Sequence, residues 1–380
     1  MEKNEKTAEH VSHRHKSEKV IDPWGSELVE DYEKIIKDFG MENFDITMFP
    51  NPNRVMRRGV VLAGRDLSAI AHSIREKHKF YVLSGIMPSN DKIHLGNKVV
   101  IENIRYFQEH GAEAYVCIAD LEANAVRGIT LDEAKKRALE FHIPAYLALG
   151  LDEKKTHFYF QSENINVIHL AYRFSTRITL NEYRAIYGEA DPSRIMGSIT
   201  QAGDILFPQL SHRMPGIIPV GFDQDPHIRL TRDIVRRMKS EKFFAPSGMY
   251  HKYTPALDGA VKMSKSNPDA AISLPEDPKI VCKKLNKALT GGRETVEIQR
   301  EKGGIPGKCM IFELYKQHLI EDDAELQERY DLCVSGRILC GECKKFACEK
   351  MTAFLEDLDQ KIMKNREKIN KLDFIKFGNK

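Results

Sequence analysis

The order of apolar patterns along this chain predicts an α/β protein: a parallel sheet with crossover helices, followed by an all-helical segment. Residues 80–85 (Phe-Tyr-Val-Leu-Ser-Gly) and 114–120 (Ala-Tyr-Val-Cys-Ile-Ala-Asp) are short apolar runs, the pattern of strands buried on both faces. Between them Val100, Ile104 and Phe107 recur at helical spacing, and Gly111 ends that run. Strand, loop, helix and strand make a βαβ unit, whose two strands lie parallel. From about residue 277 onward the segments are helical and charged, with no strand pattern.

Residues 1–19 are polar and include His10, His13 and His15, which predicts a flexible tail, with metal binding the lesser alternative. Residues 20–25 hold the only tryptophan, Trp24, and are expected to pack back onto the body. A helical pattern over 31–39 ends at Gly40. After the βαβ unit the alternation continues with a helix over 130–150 and a strand over 157–160. Ser162 is expected to cap a helix that runs to about Phe174. Residues 216–221 (Gly-Ile-Ile-Pro-Val-Gly) read as another buried strand, and Asp225-Pro226 as the N-cap and first position of the next helix. The expected division is a tail over 1–19, an extension over 20–78, an α/β domain over 79–276 and a helical domain over 277–380. The last residues of the helical domain can return to the α/β domain. No internal repeat is present.

Composition excludes little beyond disorder. With 42% hydrophobic and 30% charged residues, the 380-residue chain can bury a sizeable core. A net charge of +3 gives no global affinity for nucleic acid, so any RNA surface has to be a local patch. No apolar run reaches membrane-spanning length and the N-terminus is charged, so a cytoplasmic protein without a membrane partner is expected. In that reducing compartment seven cysteines are not expected to form a disulfide framework.

Two stretches carry the chemistry. Lys262-Met263-Ser264-Lys265-Ser266 sets two lysines around small residues, and Asn267-Pro268 follows as a turn. Such a loop can hold two mobile cations over a polyphosphate as negative charge leaves. Far upstream, His94-Leu95-Gly96-Asn97 opens a helix, where Gly96 leaves backbone N–H groups open to phosphate and His94 can donate to it. Ligands of parallel sheets bind beyond the carboxyl ends of the strands, where 94–97 and 120–122 fall. Asp223, at another strand end, suits a ribose hydroxyl, with loop capping as its alternative. Backbone groups around Met263 could meet an adenine edge.

In that order and separation, the two stretches resemble the paired nucleotide motifs of class I aminoacyl-tRNA synthetases. Val220-Gly221-Phe222-Asp223-Gln224-Asp225-Pro226-His227 and Arg229-Leu230-Thr231-Arg232-Asp233 sharpen this to a resemblance to tryptophanyl-tRNA synthetases of the archaeal and eukaryotic kind. Asp22-Pro23-Trp24, Arg57-Arg58-Gly59, Ser84-Gly85 and Gly291-Gly292-Arg293-Glu294-Thr295 also match, so the resemblance covers about 20 to 380. It implies a Rossmann-like catalytic domain, a C-terminal all-helical anticodon-binding domain and a homodimer. The implied reaction forms tryptophanyl-adenylate from tryptophan and Mg²⁺·ATP over His94, Lys262 and Lys265, then charges tRNA(Trp). Gly96, Asp223, Met263, Ser264 and Ser266 are the implied ATP-binding positions.

By the same resemblance, Glu122, Gln201 and Gln224 bind the substrate ammonium group, a cation with three donors. Asp204 matches the indole N–H acceptor of bacterial relatives. Leu83 and Cys117 stand near the indole where eukaryotic members have a tyrosine and a glutamine. Asn97 takes the catalytic position where the family usually has a second histidine that helps to hold the triphosphate, and it still offers an amide donor. An apolar Leu83 favours a ring with one polar point over a phenol that needs two partners, so tryptophan is expected over tyrosine. A tyrosyl-tRNA synthetase and a non-catalytic nucleotide-binding paralogue are the alternatives. Arg293, Arg300, Lys344 and Lys345 are candidates for tRNA phosphates, with simple solvation as the competing reading.

Five of the seven cysteines lie between Cys309 and Cys348. Cys309, Cys333, Cys340 and Cys343, the last two in a CxxC, could converge as four soft ligands for Zn²⁺ or an iron–sulfur cluster. Their spacing resembles that of a subset of bacterial tryptophanyl-tRNA synthetases with a [4Fe–4S] cluster, which makes the cluster the expectation and Zn²⁺ the alternative. Cys348 is expected to be a spare, with Cys117 and Cys282 outside the group.

Overall fold

The computed structural model describes residues 31–238, 243–263, 267–372 and 374–375. Expectations for Trp24, the N-terminal histidines, Ser264, Lys265 and Ser266 lie outside the described residues. A seven-stranded sheet organises the fold, in the spatial order β1-β2-β8-β7-β3-β5-β6. Its strands are β1 (Glu42–Asn43), β2 (Val61–Arg65), β3 (Tyr81–Ile86), β5 (Glu113–Ile118), β6 (Thr156–Phe160), β7 (Gly216–Gly221) and β8 (Ser247–His251). The five from β8 to β6 are parallel, and β1 and β2 add an antiparallel edge. The predicted βαβ unit is β3, the helix Leu95–Glu109 and β5, with Leu83 beside Tyr115 and Gly85 beside Cys117.

Local chemistry explains most boundaries. Asp31 caps Tyr32–Asp38 by accepting from the Lys34 N–H at 3.0 Å, and Gly40 leaves it at φ +61°. The 130–150 stretch is helical in three pieces, Leu131–Arg137, a π-turn at Ala138–His142 and Ile143–Ala148. Pro144 follows that π-turn, where its missing N–H is accommodated by the widened backbone.

Two expected caps shift. The helix Ile165–Ser175 is capped by Asn164, not Ser162, whose N–H instead donates to Asp120 at 3.1 Å. Asp225 is the first helical residue of Asp225–Arg237, not its N-cap. Its buried carboxylate takes Arg65 at 2.8 Å and the Tyr250 hydroxyl at 2.6 Å, so strand and helix are tied through one charge. In both places a tertiary partner outcompetes the local cap.

Beyond residue 277 the long described elements are helices, among them Pro278–Lys287, Asp323–Val334 and Cys340–Arg366. One hydrophobic cluster runs from Phe49 through the sheet to Leu285, Ile311, Leu355 and Ile369. Arg57 and Arg58 both pair with Asp323, and Arg58 also donates to the carbonyls of Lys316 and Ile320. Near the end, Phe374 bridges in parallel to Phe158 of β6. Cys282 and Cys348 are joined as a disulfide, Cα–Cα 5.2 Å, across the helices Pro278–Lys287 and Cys340–Arg366. Cys348 is therefore no spare, because packing of two helices distant in sequence sets it against Cys282. Among the described residues no helix is long and apolar enough to cross a membrane.

Candidate active site

A cavity of about 240 Å³ opens at the carboxyl ends of the parallel strands. All six residues assigned to the amino acid line it: Leu83, Cys117, Glu122, Gln201, Asp204 and Gln224. Leu83 comes from β3 and Cys117 from β5, whose register also places Cys117 beside Tyr159 of β6. Gln201 and Asp204 lie three residues apart on one face of the helix Pro192–Leu206. Glu122 sits in the first turn of Asp120–Arg127, and Gln224 in the turn that leaves β7.

Asp204 is buried, and the described groups that hydrogen-bond to it are neutral. Burial pushes its carboxyl up to about 7, against the hydrogen bonds of Gln161, Tyr159 and Cys117, which hold it down. The Tyr159 hydroxyl donates to Oδ1 at 2.9 Å and the Gln161 amide to Oδ2 at 2.6 Å. Burial raises the Cys117 thiol well above its ordinary range, and Asp204 adds to that. On the same cavity, His227 is pushed down to about 3 by burial and stays neutral, with Nδ1 2.9 Å from the Tyr187 hydroxyl. The walls are thus mostly neutral, with Glu122 as the second carboxylate on this cavity.

Of the first motif, Asn97 lines this cavity, and Asp223, the partner of Lys262, lies in the chain between its lining residues Gly221 and Gln224. His94 is the N-cap of Leu95–Glu109: its Nδ1 accepts from the Gly96 N–H at 3.0 Å, which leaves its proton on Nε2. A Cβ on Gly96 would lie 2.9 Å from that Nδ1, so any larger residue would push the ring aside. Asn97 lines the cavity, but Oδ1 accepts from the His94 N–H at 3.1 Å and its amide reaches the Tyr146 hydroxyl. The residue expected as a phosphate donor is therefore occupied in a reciprocal capping box. His94 also lies in β4 (Ile93–His94), which pairs with β9 (Ser273–Leu274), so the first motif is hydrogen-bonded to the chain just beyond the lysine loop.

Lys262 forms an ion pair with Asp223 at 3.0 Å and lies over the Tyr253 ring, 4.7 Å from its centre. Two residues assigned to ATP on separate grounds are thus partners. Met263 is a buried anchor: its N–H donates to the Thr254 carbonyl at 2.8 Å and its sulfur accepts from the Ile272 N–H. That N–H is committed and cannot meet an adenine edge. Gln161 was missed by sequence reasoning; it lies two residues beyond Tyr159, in the turn after β6, and lines the same cavity.

The four cysteines expected as ligands are neighbours of a looser kind. Among the described residues no group of three or more His, Cys, Asp or Glu side chains is arranged to hold a metal ion. Burial raises the Cys343 thiol to about 12, helped by Cys333, Cys309 and Cys340. Each thiolate would thus disfavour the next. Arg293 donates to the Gly303 carbonyl, Arg300 to that of Arg337 and Lys344 to that of Asn286, so three of the four cations proposed for tRNA brace this region.

A family model described as tRNA synthetases class I (W and Y) matches residues 75–356. The chain is 42% identical over 362 residues to the tryptophan–tRNA ligase of Hyperthermus butylicus, covering 92% of this chain and 96% of that protein. It is 41% identical over 351 residues to the tryptophan–tRNA ligase of Methanocaldococcus jannaschii, covering 90% and 94%. The crystal structure of the tryptophanyl-tRNA synthetase of Aeropyrum pernix superposes with a TM-score of 0.86 at 40% identity, over 94% of this chain and all of that one. With motifs, sheet and cavity in one arrangement, the chain belongs to the class I tRNA synthetases of the tryptophan and tyrosine branch.

Proposed function

We propose that this chain is a tryptophan–tRNA ligase, which activates tryptophan with Mg²⁺·ATP and transfers it to tRNA(Trp). The observation that carries this is the mostly neutral cavity, with Leu83 and Cys117 on the sheet side and Glu122, Gln201 and Gln224 for an ammonium group. The tryptophan carboxylate attacks the α-phosphorus, the bond to the β-phosphate oxygen breaks, and pyrophosphate leaves with that electron pair. His94, through its Nε2 proton, and Lys262, on leaving Asp223 for phosphate, stabilise the charge that develops, with Lys265 as the second loop cation. A ribose hydroxyl at the tRNA acceptor end then attacks the acyl carbon, and AMP leaves. No covalent enzyme intermediate is required, because positioning and charge stabilisation supply the acceleration.

Amino-acid-dependent ATP–pyrophosphate exchange, run in parallel with tryptophan and tyrosine, tests the reading. Exchange with tryptophan alone is expected. Exchange with tyrosine alone would overturn the substrate, and exchange with neither would leave a nucleotide-binding paralogue. The same reading places catalysis in residues 79–276 and anticodon binding in 277–380, in a cytoplasmic homodimer.

A [4Fe–4S] cluster on Cys309, Cys333, Cys340 and Cys343, with Zn²⁺ as the alternative, belongs to this proposal. It is supported by the nearness of the four sulfurs, close enough for their charges to act on Cys333 and Cys343. It is also supported by two glycines: a Cβ on Gly292 would lie 2.9 Å from the Cys340 sulfur, and one on Gly304 2.8 Å from that of Cys333. A bound cation would reverse the repulsion among thiolates and release their protons. Iron and sulfide near four each per chain after oxygen-free purification are expected for one cluster; zinc alone selects the alternative, and neither metal removes the site.

A further inference from the structure

The carboxylate expected to accept the indole N–H is already surrounded by donors of its own chain. Both Asp204 oxygens accept, from Tyr159 at 2.9 Å and from Gln161 at 2.6 Å, and the Cys117 thiol adds a third hydrogen bond. Gln161 is buried, 2% exposed, and lines the same cavity. Its amide nitrogen is held by the carboxylate, so its carbonyl has to face the other way. That oxygen, Oε1, is buried without a hydrogen-bond partner among the described residues. A buried acceptor left unpaired is costly and calls for a donor.

We infer that the Gln161 carbonyl, held in place by Asp204, accepts the indole N–H of tryptophan and thereby sets the preference for a ring that carries one donor. This inference rests on the tryptophan reading above. Asp204 is then a positioning residue: while ionised it draws the amide nitrogen to itself and leaves the carbonyl to the cavity. Once protonated it can donate to that carbonyl, the amide turns over, and two N–H groups face each other across the cavity. The titratable groups that face Asp204 are Tyr159 and Cys117, both held neutral by burial, and Glu122 on the same cavity.

The test uses tryptophan and its isostere β-(benzothiophen-3-yl)alanine, in which sulfur replaces the ring N–H. Pyrophosphate exchange and equilibrium binding by calorimetry are measured with the full chain. The wild type is expected to favour tryptophan by about 30-fold in kcat/KM, carried by KM. Gln161→Met should bring that ratio to within about threefold with kcat little changed. Gln161→Asn, which withdraws the carbonyl by one methylene, should do the same if the Met variant folds poorly. The wild-type KM for tryptophan should rise as pH falls below about 7, and Asp204→Asn should remove that rise. A ratio that survives Gln161→Met or Gln161→Asn but collapses in Asp204→Asn would make Asp204 the direct acceptor and overturn the inference. A wild type that binds neither ligand would instead overturn the tryptophan reading itself, and the inference with it.

Discussion

Asp204 is buried and Glu102 mostly so, yet their surroundings are opposite. Asp204 accepts hydrogen bonds from neutral donors, and burial, with a smaller push from Glu122, holds its carboxyl near 7. Glu102 sits between Lys98 and Arg54, whose charges outweigh its burial and hold its carboxyl below the ordinary range. Arg54 reaches on to Glu321 at 2.9 Å and to the His318 carbonyl, so this charge cluster joins the helix that carries the first nucleotide motif to the later helices. Cations fix a carboxylate as a permanent charge suited to holding elements together. Neutral donors leave it poised between two states, which suits a wall against a neutral aromatic ring.

The comparison breaks most visibly at Glu102. Glu102→Gln leaves Lys98 and Arg54 facing each other in a buried site, and a loss of about 3–5 kcal/mol is expected in urea unfolding at pH 7. The triple variant Arg54→Met, Lys98→Met and Glu102→Gln should recover most of it, because apolar groups of similar volume need no counter-charge. A single-variant loss under about 1 kcal/mol would mean that the cluster behaves as a solvated surface pair, and the contrast with Asp204 would fall.

The two carboxylates also predict opposite pH slopes. Asp204 has its folded value raised from 3.8 to about 7, so the native state binds the extra proton between those values. Stability from this group is greatest below about 4 and falls as pH rises to 7, by at most about 1.4 kcal/mol per pH unit. Glu102 has its folded value lowered, so its contribution is present above 4.5 and lost as pH falls through the folded value. Asp204→Asn should therefore flatten the decline between pH 4 and 7 and leave the acid limb unchanged. Denaturant midpoints across that range check this, and an unaltered slope would show that Asp204 titrates as an ordinary carboxyl.

These two sites also mark how far the sequence could be read. The βαβ unit was legible because apolar periodicity and Gly111 are local signals, and so was the start of its crossover helix at His94 and Gly96. The six amino-acid residues came from resemblance, and they do line one cavity. What stayed hidden depends on partners distant in sequence. Nothing near Gln161 marks it as the partner of Asp204, 43 residues on. Nothing near Asn97 says that its amide meets Tyr146. Cys282 and Cys348 looked unremarkable because their pairing follows from helix packing over 66 residues.

The smallest effect tests the neutral side of the comparison in isolation. Tyr159→Phe removes one donor from Asp204 and keeps Gln161 and the ring's packing against Phe207, 5.3 Å away. Above pH 7, where the carboxyl is ionised, the lost bond is charge-assisted and should cost about 1.5 kcal/mol. Near pH 5 the carboxyl is protonated and the same change should cost about half as much. The Asp204 carboxyl should also move further up, since one group that holds it down is gone, and the tryptophan KM should begin to rise at a higher pH than in the wild type. Stability at pH 5 and 8, read beside that pH profile, separates the two effects. An equal cost at both pH values would mean that the bond does not sense the charge on Asp204, and that the wall is held by packing alone.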